Sequence, residues 1–514
     1  MQNGFEEYKP IRNRLRKWRP DSIVETAIVK LFEISAKKAT EWRGYTPWDI
    51  LLVIKWTFAD WKNMKAPDPI SINGFNGIVN MVKDYVANST KIIKSKNPYS
   101  IEKFMRQTAF QQFWFQEKLG KRELGRTVEL FLNLPCKFNL DKALGDKLGL
   151  SKEEFIELAL LFWGSTTSMN STKPYVEIGY FSNVAKAYGG EKLKSFMQVI
   201  SHDIISAIYM CEEAIEKDFI RQAYEQTLFR YKPFLFVNDK FFLIYKGLVD
   251  QYLKFGIYDY CKDEFGSDFT TSFGDTFEKY ISDRLDEYHV DYLRERDLKY
   301  FGFNSQVDYI IRCETGNILI EVKAKEATDY VKEVPLSEAL VSGYKDSIIK
   351  GVYQAQKVLN DNKFESIGLN TEKNFILIVT YKDLYLGHFL TAWNEFIRDG
   401  LTKHYSNFDV DSVDVDQFNI ISVDELDRFL CLFEGDGNNM LKKLDEITIH
   451  NKEVGTAKYL FSMHLDKKKL RSSKKMSIDK NFDIVFDRVL EKIAKVTGEK
   501  ITKDRSGMYK KIGK

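Results

Sequence analysis

Cysteine is scarce in this sequence, and the five cysteines stand far apart without a Cys-x-x-Cys pair. This spacing argues against a structural zinc site and against a disulfide framework. With no segment that reads as a signal peptide, it predicts a reducing, cytoplasmic location. No apolar run approaches the ~18 residues that span a membrane, and no Gly-x-x-x-x-Gly-Lys-Ser/Thr phosphate loop is present. The cysteines are Cys136, Cys211, Cys261, Cys313 and Cys431.

A strong excess of one charge is also missing, because 77 basic and 74 acidic residues leave a net charge of only +3. Overall charge therefore does not by itself indicate a nucleic-acid partner. The distribution is uneven: Lys467–Lys514 carries a net charge of +10, which leaves −7 for the rest of the chain. This basic end predicts either contact with an anionic partner or a solvated tail. Its candidate nucleic-acid-binding residues are Lys467, Lys468, Lys469 and Arg471.

The length of 514 residues allows two to four domains, and the composition is that of a globular protein. Residues 1–225 have mostly helical periodicity, including a capping box at Ser151 and Glu154. Residues 226–270 predict a β-hairpin around Asn238-Asp239 and a helical connector. The pattern therefore predicts an α+β multidomain chain: a helical first half, this connector, an α/β domain at 271–435 and a basic extension at 436–514.

Residues 271–435 show a regular order of elements. We expect a helix, three strands, a helix, a strand, a helix and a final strand followed by a helix with a capping box. The short apolar strand in the middle suits a sheet that is covered on both faces. The expected bounds are a helix from about Asp275, strands at 291–300, 306–312 and 317–325, a helix at 337–359, a strand at 375–380, a helix at 386–399, a strand at 418–421 and a capping box at Ser422 and Glu425.

The residues that carry chemistry lie in the hairpin of this region. Side chains alternate along a strand, so Glu321, Lys323 and Lys325 share one face, while Ile320 and its alternate neighbours point into the core. Asp308 stands on the preceding strand, and a tight hairpin brings it close to Glu321. Two carboxylates at that spacing repel each other unless a cation lies between them. The alternative is a surface salt-bridge cluster at the end of the hairpin.

Oxygen ligands of this kind suit Mg²⁺ or Mn²⁺ rather than zinc. Such an ion can polarise a phosphate oxygen and activate a water molecule, and Lys323 can orient that water or offset developing charge. The triplet alone is weak evidence, because this composition produces about eleven acid-x-base triplets by chance. Its position adds specificity, since it ends an apolar strand that pairs with another acid-bearing strand.

With these residues in place, the region from ~271 to 435 resembles the PD-(D/E)XK nuclease superfamily. Asp308, Glu321 and Lys323 match the motif in order, although Val307 stands where the motif has proline. The resemblance covers about a third of the chain. It implies a restriction-endonuclease-like core with a mixed central sheet, and a Mg²⁺-dependent hydrolase that cleaves phosphodiester bonds.

The resemblance also implies roles for two further residues. Glu278 resembles the helix acid that often completes the metal site, although Asp275 and Glu278 also have the spacing of a capping box. Gln354 resembles a glutamine on the helix that follows the catalytic hairpin. Its helix face holds Lys350 and Lys357, which together with Lys325 are candidates for binding nucleic acid; a solvated polar face is the alternative.

Three functions remain open at this point. The first is a nuclease in bacterial antiviral defence, acting on DNA rather than RNA, whose helical half binds a partner protein or a second copy of the chain. The second is a repair or recombination nuclease. The third is a nuclease fold that serves as a scaffold in a binding module, whose helical half acts through a protein partner. The link between a helical half and defence is an analogy at the level of the fold.

Overall fold

The computed structural model shows a mixed α/β protein in which helices dominate. It describes residues 5–42, 44–93, 100–117, 119–215, 219–333, 337–370, 372–453, 455–465, 476–498, 500–503 and 509–512. The predicted nucleic-acid-binding residues Lys467, Lys468, Lys469 and Arg471 lie outside this part of the chain. Within it, no helix is both long enough and apolar enough to cross a membrane.

Helices before the first hairpin make up most of the N-terminal half. They are α1 (Phe5–Leu15), α2 (Pro20–Ser35), α3 (Pro47–Ala59), α4 (Ile72–Ile93), α5 (Ser100–Gln112), α6 (Lys121–Val128), α7 (Leu140–Leu148), α8 (Lys152–Ser165), α9 (Ser182–Tyr188), α10 (Gly190–Ile200), α11 (Ile204–Ile215) and α12 (Phe219–Gln222). Ser151 caps α8 by accepting a hydrogen bond from the Glu154 amide, which confirms the predicted capping box.

The second half alternates helices with strands. Its helices are α13 (Lys246–Glu287), α14 (Glu295–Tyr300), α15 (Asp329–Glu333), α16 (Ser337–Tyr344), α17 (Lys350–Leu359), α18 (Lys363–Ser366), α19 (Phe389–Ala392), α20 (Arg398–His404), α21 (Val423–Phe433), α22 (Gly437–Lys452) and α23 (Ile478–Thr497). Turns of π-helix occupy Glu129–Asn133, Lys345–Ile349 and Trp393–Ile397. Turns of 3₁₀-helix occupy Ala39–Glu41, Trp61–Asn63, Phe113–Gln116, Thr166–Ser168, Ile178–Phe181, Leu228–Arg230, Val410–Ser412, Val415–Gln417 and Phe461–His464.

The strands form two mixed sheets and one two-stranded ribbon. The smaller mixed sheet has the order β1-β4-β3-β2, and its β3-β4 hairpin turns at Asn238 and Asp239, both at positive φ, as predicted. Its strands are β1 (Tyr175–Glu177), β2 (Ser201–His202), β3 (Phe234–Val237) and β4 (Lys240–Leu243). The other strands are β5 (Tyr292–Arg294), β6 (Tyr309–Cys313), β7 (Gly316–Lys323), β8 (Asn374–Thr380), β9 (Phe418–Ser422), β10 (Lys500–Lys503) and β11 (Tyr509–Ile512).

The five-stranded sheet has the order β5-β6-β7-β8-β9. β5, β6 and β7 pair antiparallel, whereas β7, β8 and β9 run parallel, so β7 lies at the centre of the sheet. Each face is covered by its own hydrophobic cluster. Ile318, Ile320 and Val322 pack on the side of α13, and Leu319 packs on the side of α17. A third cluster lies among the N-terminal helices.

Two predicted elements were wrong. Residues 291–300 were expected to form one strand, but only Tyr292–Arg294 is extended, and α14 follows because the Asp297 carboxylate caps the Arg294 amide at 2.8 Å. The helix expected from Asp275 begins earlier. α13 breaks at Gly266, whose φ of 53° and ψ of −129° suit glycine, and then continues helically past Asp275.

The remaining elements of the region match the prediction closely. A continuous helical run covers 337–359, and every residue of β8 is buried, as expected for a strand between two packed layers. Ser422 and Glu425 form the predicted capping box of α21. The cluster on the α13 side takes in residues on both sides of positions 225 and 435, so the domain limits remain a prediction. None of the five cysteines, all in the described part, forms a disulfide bond.

Candidate active site

The register of the β6–β7 hairpin places Asp308 beside Glu321. Tyr309 pairs with Ile320, and Asp308 immediately precedes Tyr309, so Asp308 stands at the next position towards Glu321. The Asp308 carboxylate accepts a hydrogen bond of 2.6 Å from the main-chain amide of Val322. This contact fixes Asp308 against β7, because the amide neighbours Glu321 in the chain. The predicted meeting of the two acids across the hairpin is therefore present.

Glu321 and Lys323 lie on the face of β7 that packs against α17. Lys323 donates a hydrogen bond to the Glu321 carboxylate and a second one of 3.3 Å to the side-chain oxygen of Gln354. Gln354 in turn donates to the main-chain oxygen of Gln306 at 3.4 Å. The structure thus brings together the predicted residues Asp308, Glu321, Lys323 and Gln354, with Lys323 linking the strand acid to the helix.

The site holds more negative charge than the protein compensates. Glu321 is only 1% exposed, and burial, reinforced by the charge of Asp308, raises its pKa to about 8. Burial also raises the pKa of Asp308, although the ammonium group of Lys323 works in the other direction. Oε2 of Glu321 is buried and has no hydrogen-bond partner within the described chain. A buried carboxylate oxygen without a partner is costly unless a ligand satisfies it.

Lys323 is the cation that this site supplies. Burial acts to lower the pKa of Lys323, but Glu321 and Asp308 outweigh it and raise the pKa above its ordinary value. The side chain is mostly buried, at 14% exposure. Lys323 therefore keeps its charge near neutral pH, and its ammonium group can act as a hydrogen-bond donor or as an electrostatic partner for an anion.

Glu278 faces the same electrostatic environment from α13. Its pKa is raised to about 7, first by burial and then by the neighbouring charge of Asp308. The main-chain oxygen of Glu278 accepts a hydrogen bond of 2.7 Å from the Tyr309 hydroxyl, which ties α13 to the start of β6. Because α13 runs through Asp275 without beginning there, the capping-box interpretation of Glu278 was wrong.

The donor chemistry of these acids fits a divalent cation that prefers oxygen ligands. Oε2 of Glu321 has no hydrogen-bond partner in the described chain, and burial raises the pKa values of Glu278, Asp308 and Glu321. A bound cation would compensate both effects. As the side chains stand, however, the described residues contain no group of three His, Cys, Asp or Glu side chains arranged to hold a metal ion. Glu278, Asp308 and Glu321 therefore fit a divalent cation in the type of ligand atom and in charge, but not in their present arrangement.

Three of the lysines predicted to bind nucleic acid lie in the described part of the chain and differ in their contacts. Lys325 is exposed, one alternation beyond Lys323, and forms a salt bridge of 2.8 Å with Asp346. Lys350 and Lys357 are exposed on α17, and the ammonium group of Lys357 lies 5.9 Å from the centre of the Tyr353 ring. All three lysines are exposed to solvent, although Lys325 is paired with Asp346, whereas Gln354 on α17 is half-buried against Lys323.

Two residues of the site were missed from the sequence. The main-chain amide of Glu295, the first residue of α14, donates a hydrogen bond of 3.0 Å to the main-chain oxygen of Asp308, and the charge of Glu295 contributes to the raised pKa of Asp308 and of Glu278. An acid three residues after Arg294 was the available signal for this helix start. Gly351 lets α17 approach β7: a Cβ there would lie 3.3 Å from Cγ of Glu321. Nothing local marks that contact.

Comparison with known proteins assigns no family to the chain. No protein-family profile matches it, and neither a curated protein nor a solved structure was found to be similar.

Proposed function

We propose that this protein is a metal-dependent nuclease of the PD-(D/E)XK kind. The observation that carries the proposal is the group formed across the β6–β7 hairpin by the buried Glu321 and the half-buried Asp308 and Lys323, in which one lysine faces two acids. The order of elements, with α13 before three antiparallel strands and α17 before a parallel one, also supports a restriction-endonuclease-like core.

In this proposal Asp308, Glu321 and Glu278 hold Mg²⁺ or Mn²⁺. When bound, such an ion polarises the phosphate and lowers the pKa of a water molecule. Lys323 donates a hydrogen bond to that water or to a phosphate oxygen, since its charge is retained and its ammonium group has a third donor. Gln354 holds Lys323 in place through the contact at 3.3 Å.

We further propose that the substrate is DNA and that the reaction serves bacterial antiviral defence. The lysines around the site, Lys325, Lys350 and Lys357, give sequence-independent contacts to the phosphate backbone. The sequence adds Lys467, Lys468, Lys469 and Arg471, which lie outside the described residues, as further candidates for contact with phosphate. A repair or recombination nuclease is the alternative within the same chemistry, and a preference for branched or damaged substrates distinguishes it.

Cleavage assays with single substitutions test the proposal. Purified wild-type, Glu321→Ala and Lys323→Ala proteins are incubated with plasmid, linear duplex and single-stranded DNA and with RNA, in Mg²⁺, Mn²⁺ or EDTA. We expect metal-dependent cleavage by the wild type and a loss of about 10³-fold or more in each variant, the scale of removing a group that stabilises the transition state. Binding of DNA should survive in both.

Glu314→Ala is the matched control for these variants. Glu314 is an exposed acid at the turn of the same hairpin, at the opposite end from the site. The Glu314→Ala protein should cut DNA at the rate of the wild type. Cleavage by Glu321→Ala at the wild-type rate contradicts the assignment, and stable nucleic-acid binding without any cleavage favours a binding module.

A further inference from the structure

A cavity of about 900 Å³ lies beyond the carboxyl ends of β7, β8 and β9. The residues that follow these strands form one wall, and the end of α5, the start of α13 and the segment 226–232 form the opposite wall. Its volume is in the range of small-molecule sites, and its position is where open sheets with parallel strands bind ligands. Asp308, Glu321, Lys323 and Glu278 do not line it, so it is separate from the candidate active site.

Almost every basic side chain that lines this cavity already forms a salt bridge with a carboxylate. Seven of its eight basic side chains lie within 4 Å of an acid. Lys232 is the exception among the lining residues: its ammonium group donates to the main-chain oxygen of Gln198 at 2.9 Å and meets no carboxylate. Burial lowers the pKa of Lys232, and the charge of Asp203, which forms no salt bridge with it in the described chain, only partly opposes this effect. An anionic group on a ligand would supply a counter-ion.

An aromatic ring stands next to this lysine on the cavity wall. Tyr231 is 44% exposed although it is a large side chain in a concave site. Its hydroxyl accepts a hydrogen bond of 2.6 Å from Arg230, whose guanidinium group lies 4.3 Å from the ring centre, so the ring is held in place. A fixed, exposed ring suits stacking against a planar heterocycle, which is worth about 1–3 kcal/mol per base in nucleic-acid complexes.

The overall charge of the cavity lining slightly favours an anion over a cation. Asp383 and Glu425 have no salt bridge in the described chain. Burial, followed by the charge of Glu425, raises the pKa of Asp383 well above its ordinary range. The lining as a whole has eight basic and seven acidic side chains, so its formal net charge is +1.

We propose that this cavity binds a nucleotide, with a phosphate group at Lys232 and the base against Tyr231. The site contains no Gly-rich phosphate loop and relies on a lysine and a ring that are adjacent in the chain. The inference does not depend on the proposed nuclease activity, because binding is measured without nucleic acid. The cavity includes residues 326–329, which directly follow the strand of Glu321 and Lys323, so an occupant touches the segment that leaves the candidate active site.

Isothermal titration of the full chain with ATP, GTP, CTP and UTP, each in EDTA, tests this inference. EDTA prevents metal-bridged binding of phosphate at the acidic site. We expect at least one nucleotide to bind, Lys232→Ala to weaken it at least tenfold and Tyr231→Ala to weaken it similarly. Tyr231→Phe should keep most of the affinity, because the ring remains. Lys232→Gln serves as a second variant, and circular dichroism checks the fold of each.

Two controls separate this site from the rest of the chain. Lys152, like Lys232, donates to a main-chain oxygen, that of Leu132 at 3.5 Å, but lies outside the cavity, so Lys152→Ala should bind the nucleotide normally. Glu321→Gln should also bind normally, whatever its effect on cleavage.

Three outcomes overturn the inference. One is that none of the four nucleotides binds at concentrations up to about 1 mM, the weak end of specific binding. Another is that Lys232→Ala and Tyr231→Ala bind as well as the wild type. The third is that inorganic triphosphate binds as tightly as the nucleotide, which would show an anion site without base recognition.

Discussion

Glu321 and Glu326 are five residues apart in one segment, and both are largely removed from water, yet their surroundings are opposite. Glu326 forms salt bridges with Lys262 at 2.8 Å, Lys332 at 2.9 Å and Lys382 at 3.3 Å, and after the cost of burial these cations hold its pKa well below the ordinary value. Glu321 has Lys323 alone and an oxygen without a partner, and its pKa is raised to about 8.

The difference teaches how to separate a structural acid from a functional one. Burial of a carboxylate is stable when cations surround it, and removing one member of such a group is costly. A carboxylate that is buried without compensation is held by the rest of the fold, and that arrangement is common at functional sites. Glu326 belongs to the first kind and Glu321 to the second, so the two should respond differently to the same substitution.

The largest expected effect on stability is that of Glu326→Gln. It removes the charge that three lysines share, so we expect the free energy of unfolding in EDTA to fall by about 3 kcal/mol. Glu321→Gln should change it by less than about 1 kcal/mol or raise it, because an uncompensated charge is lost. Urea denaturation of both variants measures the difference. Equal losses would remove the distinction between the two glutamates.

The pH dependence of stability should have opposite signs at the two positions. The pKa of Glu321 is raised from 4.5 to about 8, so the folded state binds more protons and the stability from this group falls as pH rises through that interval. The pKa of Glu326 is lowered, so its contribution is complete above 4.5 and is lost as pH falls below that value. Neither glutamine variant should show the corresponding trend.

Unfolding in EDTA at a series of pH values tests these trends. The limiting slope for one proton is about 1.4 kcal/mol per pH unit, which is large enough to resolve between the wild type and each variant. The stability of Glu321→Gln relative to the wild type should increase from pH 5 to 8. If the relative stability of either variant does not change with pH, the charge assignment for that glutamate is wrong.

A smaller effect is expected from Gln354→Ala. This change removes one hydrogen bond to Lys323, so the cleavage rate should fall about tenfold, the equivalent of the 1–1.5 kcal/mol typical of one such bond. Gln356→Ala is the control on the same helix, since Gln356 bonds to Asn360 and Ser412 away from the site. If Gln354→Ala cleaves at the wild-type rate, the contact with Gln354 is not needed to position Lys323, and Glu321 alone is sufficient.

The smallest effects belong to the exposed lysines Lys325, Lys350 and Lys357. Each substitution to alanine should weaken DNA binding a few-fold and reduce the salt dependence of binding by about one unit, because one phosphate contact is lost. Lys373→Ala, at the opposite end of the sheet, should change neither. Titration of labelled DNA at several salt concentrations measures both quantities. Unchanged salt dependence in all three variants would place the nucleic acid elsewhere.

The sequence was informative where structure depends on near neighbours. The alternation of Ile320, Glu321 and Val322 predicted which side chains face the core, and the apolar run of β8 predicted its burial. The capping boxes at Ser151 and Ser422 were equally local. Periodicity failed at α14, where an aspartate cap overrides a stretch that resembles a strand.

The rest depends on contacts between distant parts of the chain. The cations around Glu326 come from α13, α15 and the end of β8, so its low pKa leaves no mark on the neighbouring sequence. The cavity at Lys232 likewise joins segments more than 300 positions apart. The start of the helix that carries Glu278 was misplaced because Gly266, rather than Asp275, interrupts it.

Gly351 gives the candidate site a clearance that is set by the backbone. A single carbon at this position would come within 3.3 Å of Glu321 and 3.5 Å of Lys323, tighter than or close to the limit of ordinary contact. Alanine is otherwise the better helix residue by about 1 kcal/mol. At this position α17 has a residue of lower helix propensity, and its small size leaves space between the helix and β7. One methyl group here would press on the side chains of Glu321 and Lys323 themselves, so the spacing of the charged groups depends on an uncharged position of the helix.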